Sequence, residues 1–167
     1  MSTSSSSAAE ISELAAPVVR DVVWATMATV GPDGRPRSRI VHPVLTWDDG
    51  PKGWITSRPT ALRRRHLAAT PWVSLSYWSP AHDCVHIDAA ADWVPAEELA
   101  SVWESIRSVP EPVGFDPASI WPDGPTSSSF AVIALRPHRI RVALATSMAA
   151  GAPAPLWTDP DMTATTG

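Results

Sequence analysis

Arginines carry most of the chemical potential of this sequence. Arg35, Arg37 and Arg39 alternate at a period of two, while Arg63, Arg64 and Arg65 follow one another shortly after Thr56, Ser57 and Thr60. Cations gathered with hydroxyl donors near the start of a helix can hold an anionic group such as a phosphate. The same residues read equally well as a strand turning its charges outward and a helix face in water. The formal net charge is -4 and the isoelectric point about 5.6. Any such anion site is therefore local, and broad neutralisation of a nucleic-acid backbone is excluded.

A second constellation runs His82-Asp83-Cys84-Val85-His86-Ile87-Asp88, in which His82, Cys84, His86 and Asp88 would share one face of a strand. The residue types suit a metal, but the spacing does not. His82 and His86 would stand roughly 13 Å apart at ~3.3 Å per residue, whereas zinc binds its ligands at about 2.0 to 2.3 Å. No metal is expected there, and the segment reads as a half-buried strand with Val85 and Ile87 facing the core. His66 and His138 read as surface residues. Cys84, the single cysteine, has no helix end or basic neighbour to activate its thiol. No acid/base pair and no Ser/His/Asp arrangement can be identified from spacing.

These residues must be positioned by a chain of 167 residues, the length of one domain. With 44% hydrophobic and 18% charged residues the chain reads as globular. No apolar run approaches the ~20 residues of a membrane span. MSTSSSSAAE lacks the basic and apolar parts of a secretory signal, so a cytoplasmic location is expected. Eighteen prolines favour short connections, and nine tryptophans imply a β-rich core, an interface or a flat aromatic ligand, with the core accounting for most of them.

Along the chain, Met1 to Ser7 is expected to be disordered, and Ala8 to Ala16 to form a short helix closed by Pro17. Val22 to Val30 reads as a strand turning at Gly31-Pro32-Asp33-Gly34 into a return strand from Arg37 to Trp47. A third strand follows at Gly53 to Ser57. Thr60 caps a helix to Ala69 with Leu62 and Leu67 on one side. Val73 to Trp78 and Cys84 to Val94 are further strands, and Pro95 opens a helix through Arg107. Val109 to Ser129 is a long loop carrying Phe115 and Trp121, read as a lid or wall over a site. Phe130 to Leu135 and Arg139 to Leu144 form a closing hairpin around Pro137, and the tail from Ala149 is expected to be disordered. Residues 1–16 are thus a tail and short helix, 17–146 the domain, and 147–167 a second tail. Seven short strands with two or three helices point to a closed antiparallel barrel, because closure removes exposed edges.

Four stretches in this order carry a resemblance. They are Trp24-Ala25-Thr26-Met27-Ala28-Thr29-Val30 into Asp33-Gly34-Arg35-Pro36; Arg39-Ile40-Val41; Trp54-Ile55-Thr56-Ser57 followed by Arg63; and Thr70-Pro71 into Val73-Ser74-Leu75-Ser76-Tyr77. Over about residues 18 to 145 the chain resembles the flavin-binding split-barrel family of pyridoxamine 5'-phosphate oxidase, most of all its short general-stress and uncharacterised actinobacterial-type members. The resemblance implies an antiparallel split β-barrel with flanking helices. It also implies a homodimer with flavin mononucleotide (FMN) between subunits, and oxidoreductase chemistry on a small-molecule substrate. By the same resemblance, Arg39 and Arg63 would meet the phosphate, Thr56 and Ser57 would donate to it, and backbone groups of Ile40, Val41 and Ile55 would meet the ring. His42 is a candidate ring-edge or substrate contact.

The departures matter as well. Val44 stands where the oxidase has a lysine, Ala61 and Leu62 replace a Ser-Arg pair, and GAPAPLWTDPDMTATTG lacks the basic segment that binds pyridoxal phosphate. A true pyridoxamine phosphate oxidase is not implied. Two alternatives keep the fold: a reductase using the deazaflavin coenzyme F-420, whose longer anionic tail would meet Arg64 and Arg65, and a non-catalytic flavin or haem binding or stress protein.

Overall fold

The computed structural model describes residues 6–163. Met1 to Ser5 of the expected N-terminal tail lie outside these residues. Ser7 is ordered as the cap of α1 (Ala8–Val22): its hydroxyl accepts from Glu10 N at 3.2 Å, and its own N–H donates to the Glu10 carboxylate at 2.7 Å. This reciprocal capping satisfies two otherwise orphaned donors. Pro17 sits inside α1 and does not close it. Its ring faces outward, while Ile11, Ala15, Val18 and Val19 form a buried stripe on both sides of it. Packing of that stripe outweighs one lost helical hydrogen bond. The first strand therefore begins later than expected.

The strands are β1 (Ala25–Val30), β2 (Pro36–Val41), β3 (Pro43–Thr46), β4 (Lys52–Ser57), β5 (Trp72–Trp78), β6 (Cys84–Trp93), β7 (Ala131–Ala143) and β8 (Leu156–Thr158). They form one antiparallel sheet in the order β2-β1-β5-β6-β7-β4-β3, with β8 added to β7. The expected single strand from Arg37 to Trp47 is broken at His42. Pro43 cannot donate a ladder hydrogen bond and restricts the residue before it. β2 and β3 occupy opposite ends of the sheet although only His42 separates them in the chain. The sheet must curl until its ends meet, and no ladder joins them. The result is an antiparallel split β-barrel with flanking helices, open along the β2/β3 seam where full closure was expected.

The expected hairpin around Pro137 is a single strand. Pro137 faces Ala89 and Arg139 faces Asp88, so His138 is an extra residue in a β-bulge. A bulge absorbs a proline because the ladder is already interrupted there. The C-terminal segment is likewise ordered from residue 149 to 163 where disorder was expected, residues 164–167 of the expected tail lying outside the described residues. β8 pairs with β7, and Trp157 is 7% exposed within the main core.

That core fills the barrel with Met27, Leu75, Tyr77, Ile87 and Ile140 and packs against α1. A second core lies on the other face of β3, β4 and β7, under α3 (Leu99–Ser108). Here Trp103 and Trp121 meet Phe130 edge-on, with ring centroids 4.9 and 5.1 Å apart. The Trp121 indole N–H donates to the Ser129 carbonyl at 3.2 Å. The loop from Val109 to Ser129 is thus a packed layer whose aromatic groups are seated within this chain, Trp121 in the second core and Phe115 against His42. Among the described residues, no helix is long and apolar enough to cross a membrane.

Trp157→Ala should destabilise the protein by about 3 to 5 kcal/mol, the usual loss on truncating a buried aromatic. Denaturant unfolding followed by circular dichroism checks this. An unchanged midpoint would show that β8 contributes nothing to the core.

Candidate functional site

α2 (Ala61–Ala69) starts at Thr60, whose hydroxyl accepts from Arg63 N at 3.3 Å. Of the two leucines expected on one side, Leu67 is buried and Leu62 is exposed. The helix carries Arg63 toward the end of β4, where its guanidinium donates to the Ser57 hydroxyl. The Ser57 hydroxyl in turn donates a hydrogen bond to the Arg58 carbonyl at 3.1 Å. Arg39 reaches inward from β2 opposite Met27 and donates to Thr29 Oγ1 at 2.9 Å. Thr29 Oγ1 lies 3.2 Å from His66 Nδ1.

The two arginines are neighbours. Burial foremost, and then the positive charge of Arg63, hold the Arg39 guanidinium below its ordinary value. Among the described residues, the carboxylates that form ion pairs engage Arg20, Arg37, Arg107, Arg136 and Arg139, and none reaches Arg39 or Arg63. Two neighbouring cations without a carboxylate partner among the described residues, one of them in the first turn of a helix, have the chemistry that an anion site requires.

The other predicted residues are distributed around this pair. Ile40 is 65% exposed on the opposite face of β2, whereas Val41 and Ile55 are buried in the main core. Thr56 alternates with Ser57 and so turns its side chain to the other face of β4. Arg64 lies over the Trp93 ring at 5.0 Å, a cation–π contact, and Arg65 is exposed. Thr29 and His66 were not singled out by sequence. Thr29 continues the inward series Ala25, Met27, Thr29, and a polar residue in that series is a usable signal. His66, expected at the surface, is 3% exposed because it lies one helical turn beyond Arg63 and faces the same way.

His138, also expected at the surface, packs edge-on against Trp72 at 4.9 Å in the bulge. His82 stands outside β6 in a turn with φ 66° and meets Trp78, so it leaves the row of Cys84, His86 and Asp88. Asp88 is engaged by Ser74 at 2.8 Å and Arg139 at 3.0 Å. Among the described residues no group of three or more His, Cys, Asp or Glu could hold a metal ion.

His42 bridges the seam. Its ring lies between Trp24 and Phe115 at 5.1 and 5.0 Å, and Nε2–H donates to the Val113 carbonyl at 2.8 Å. Burial lowers its pKa from 6.5, partly offset by the bonds to the Val113 and Pro112 carbonyls. The neutral form belongs to the folded state, so its contribution is whole above about pH 6.5. It is lost as pH falls and the unfolded chain takes up the proton first. Stability at pH 5.5 relative to pH 7.5 should therefore fall more in the wild type than in His42→Gln, read from urea midpoints. Parallel declines would remove His42 from this account.

A family model described as "Pyridoxamine 5'-phosphate oxidase" matches residues 11–144. No curated protein matches by sequence. Among solved structures, a Clostridium acetobutylicum protein related to general stress protein 26 of B. subtilis is similar over 94% of this chain and 99% of its own. The TM-score is 0.68 at 11% identity. A pyridoxamine 5'-phosphate oxidase-related, FMN binding protein from Nostoc punctiforme is similar over 81% of each chain, with TM-score 0.56 and 14% identity. A heme binding protein from Mycobacterium smegmatis is similar over 92% of this chain and 58% of its own, with TM-score 0.62 and 21% identity. At these identities the likeness is one of fold. The family match over the barrel and the split-barrel topology agree, and the chain belongs to the pyridoxamine 5'-phosphate oxidase family.

Proposed function

We propose that the chain binds FMN by its phosphate at Arg39 and Arg63 and acts as a flavin-dependent oxidoreductase on a small-molecule substrate. The observation that carries this reading is the pair of adjacent guanidiniums with no carboxylate partner among the described residues. The fit is chemical as well as electrostatic. Thr29 and Ser57 accept from the arginines and have their own protons directed elsewhere, leaving the remaining N–H groups of both guanidiniums for a dianionic phosphate. β2 is paired on one side only, so backbone groups along its free edge near Ile40 and Val41 can bond the polar rim of a flat ring. When bound, FMN supplies the hydride and electron transfer. The protein holds the phosphate, orients the ring and limits access to it.

FMN is favoured over a deazaflavin with a longer anionic tail because Arg64, which such a tail would recruit, is over Trp93. The haem reading is supported by one structural neighbour described as a heme binding protein, but His42 and His66 each commit one ring nitrogen to a protein partner, which favours FMN at this site. A second copy of the chain completes the assembly in this reading. Trp24, Val30, Ile40, Trp72 and Trp78 form an apolar set exposed around β1, β2 and β5, and burial against a partner would remove it from water. Light scattering should return a dimer mass with FMN present, and a monomer mass at micromolar concentration would exclude this assembly.

Arg63→Ala and Arg39→Ala should each weaken FMN binding by roughly 10- to 100-fold, as expected for charge-assisted contacts of about 1.5 to 3 kcal/mol. Fluorescence titration measures this. Affinities equal to that of the wild type would return both arginines to the role of solvated surface charges.

A further inference from the structure

Two guanidiniums that repel each other must be held in place by something other than their mutual electrostatics. Arg63 is held through Ser57 and the Arg58 carbonyl. Arg39 is held through Thr29, and the atom beyond Thr29 is His66 Nδ1. A guanidinium can only donate, so Thr29 Oγ1 is the acceptor in its bond to Arg39. That leaves one hydroxyl proton on a side chain only 2% exposed, out of reach of solvent. The arrangement that leaves no buried proton unpaired directs it to His66 Nδ1, with His66 carrying its own proton on Nε2.

We propose that His66, acting through Thr29, is a positioning residue of the anion site: it fixes the direction of the Thr29 hydroxyl, and Thr29 fixes the Arg39 guanidinium beside Arg63. This inference rests on the phosphate reading given above. The three residues come from three elements, β1, β2 and α2, so the relay ties the helix that carries Arg63 to the strand that carries Arg39. Space is reserved for the imidazole. A β-carbon added at Gly31, just after β1, would stand 3.2 Å from His66 Nε2 and 2.7 Å from Asp33 Oδ1. A side chain at residue 31 would therefore require both the Asp33 carboxylate and the imidazole to shift. A free arginine must be ordered when an anion binds, whereas one already anchored at Thr29 has less freedom to lose. Immobilising such a side chain corresponds to about 3- to 10-fold in affinity.

The test titrates FMN and riboflavin, which lacks the phosphate, against the full-length protein and the variants Thr29→Val, Thr29→Ser, His66→Ala, His66→Asn and Arg39→Ala. Thr29→Val and His66→Ala should weaken FMN binding about 3- to 10-fold and leave riboflavin binding unchanged. Thr29→Ser, and His66→Asn with its amide oxygen near the Nδ1 position, should recover most of the loss. Thr29→Val exchanges a hydroxyl for a methyl of similar size, so it carries the test if His66→Ala does not fold. Wild-type FMN affinity in Thr29→Val, with Arg39→Ala weakened, overturns the inference and leaves the phosphate reading standing. An equal loss for both flavins also overturns it, since a purely structural role would give that result. Unchanged FMN affinity in Arg39→Ala overturns the phosphate reading itself.

Discussion

One residue, His42, spans the distance between the two ends of the sheet. β2 and β3 pair with different partners, β1 and β4, yet the chain allows them almost no separation. The sheet can satisfy this only by curling, and the right-handed twist of its strands makes the curl a barrel. Everything at the candidate site follows. Arg39 and Thr29 lie on the concave face at one margin of the seam, and α2 follows β4, whose strand partner β3 lies at the other margin. The seam itself is held by side chains, with His42 between Trp24 and Phe115 and bonded to Val113.

Lack of a carboxylate partner is not peculiar to the candidate anion site, since Arg35, Arg58, Arg64, Arg65 and Arg141 also form no ion pair among the described residues; what sets it apart is that its two guanidiniums are held by buried hydroxyls. Arg37, Arg107, Arg136 and Arg139 each have a carboxylate within 4 Å. The exposed pairs of Arg37, Arg107 and Arg136 contribute little to stability. Arg39 and Arg63, both half-buried, have hydroxyl side-chain partners only among the described residues, and these accept hydrogen bonds without cancelling charge. Buried hydroxyls that anchor without neutralising suit a site that meets an anionic ligand, because the attraction remains available to it.

How much of this was legible in the sequence depended on the range of the rule. Short-range signals served well: the Thr60 cap, the Gly31-Pro32-Asp33-Gly34 turn and the alternation of Val85 and Ile87 all describe contacts within a few residues. Pro17 and Pro137 were misread because a proline breaks an isolated helix or strand, whereas packing of Val18 and Val19 retains one and a bulge absorbs the other. Trp157 and Trp121 sit in segments of loop-like composition and are ordered by surfaces made far away in the chain. Arg39 and Arg63 were found through a family resemblance, since spacing alone could not bring residues 24 positions apart together. Ser57, which holds Arg63, came with the same resemblance, whereas Thr29, which holds Arg39, was missed, although it interrupts an apolar inward series and could have been noticed.

The central claim is that Arg39 and Arg63 together receive a phosphate. A crystal structure of the protein with FMN bound tests it most directly. The account predicts the phosphorus atom between the two guanidiniums, with Arg39 still bonded to Thr29 and the ring lying along the free edge of β2. Clear density for FMN with its phosphate away from both arginines would contradict it.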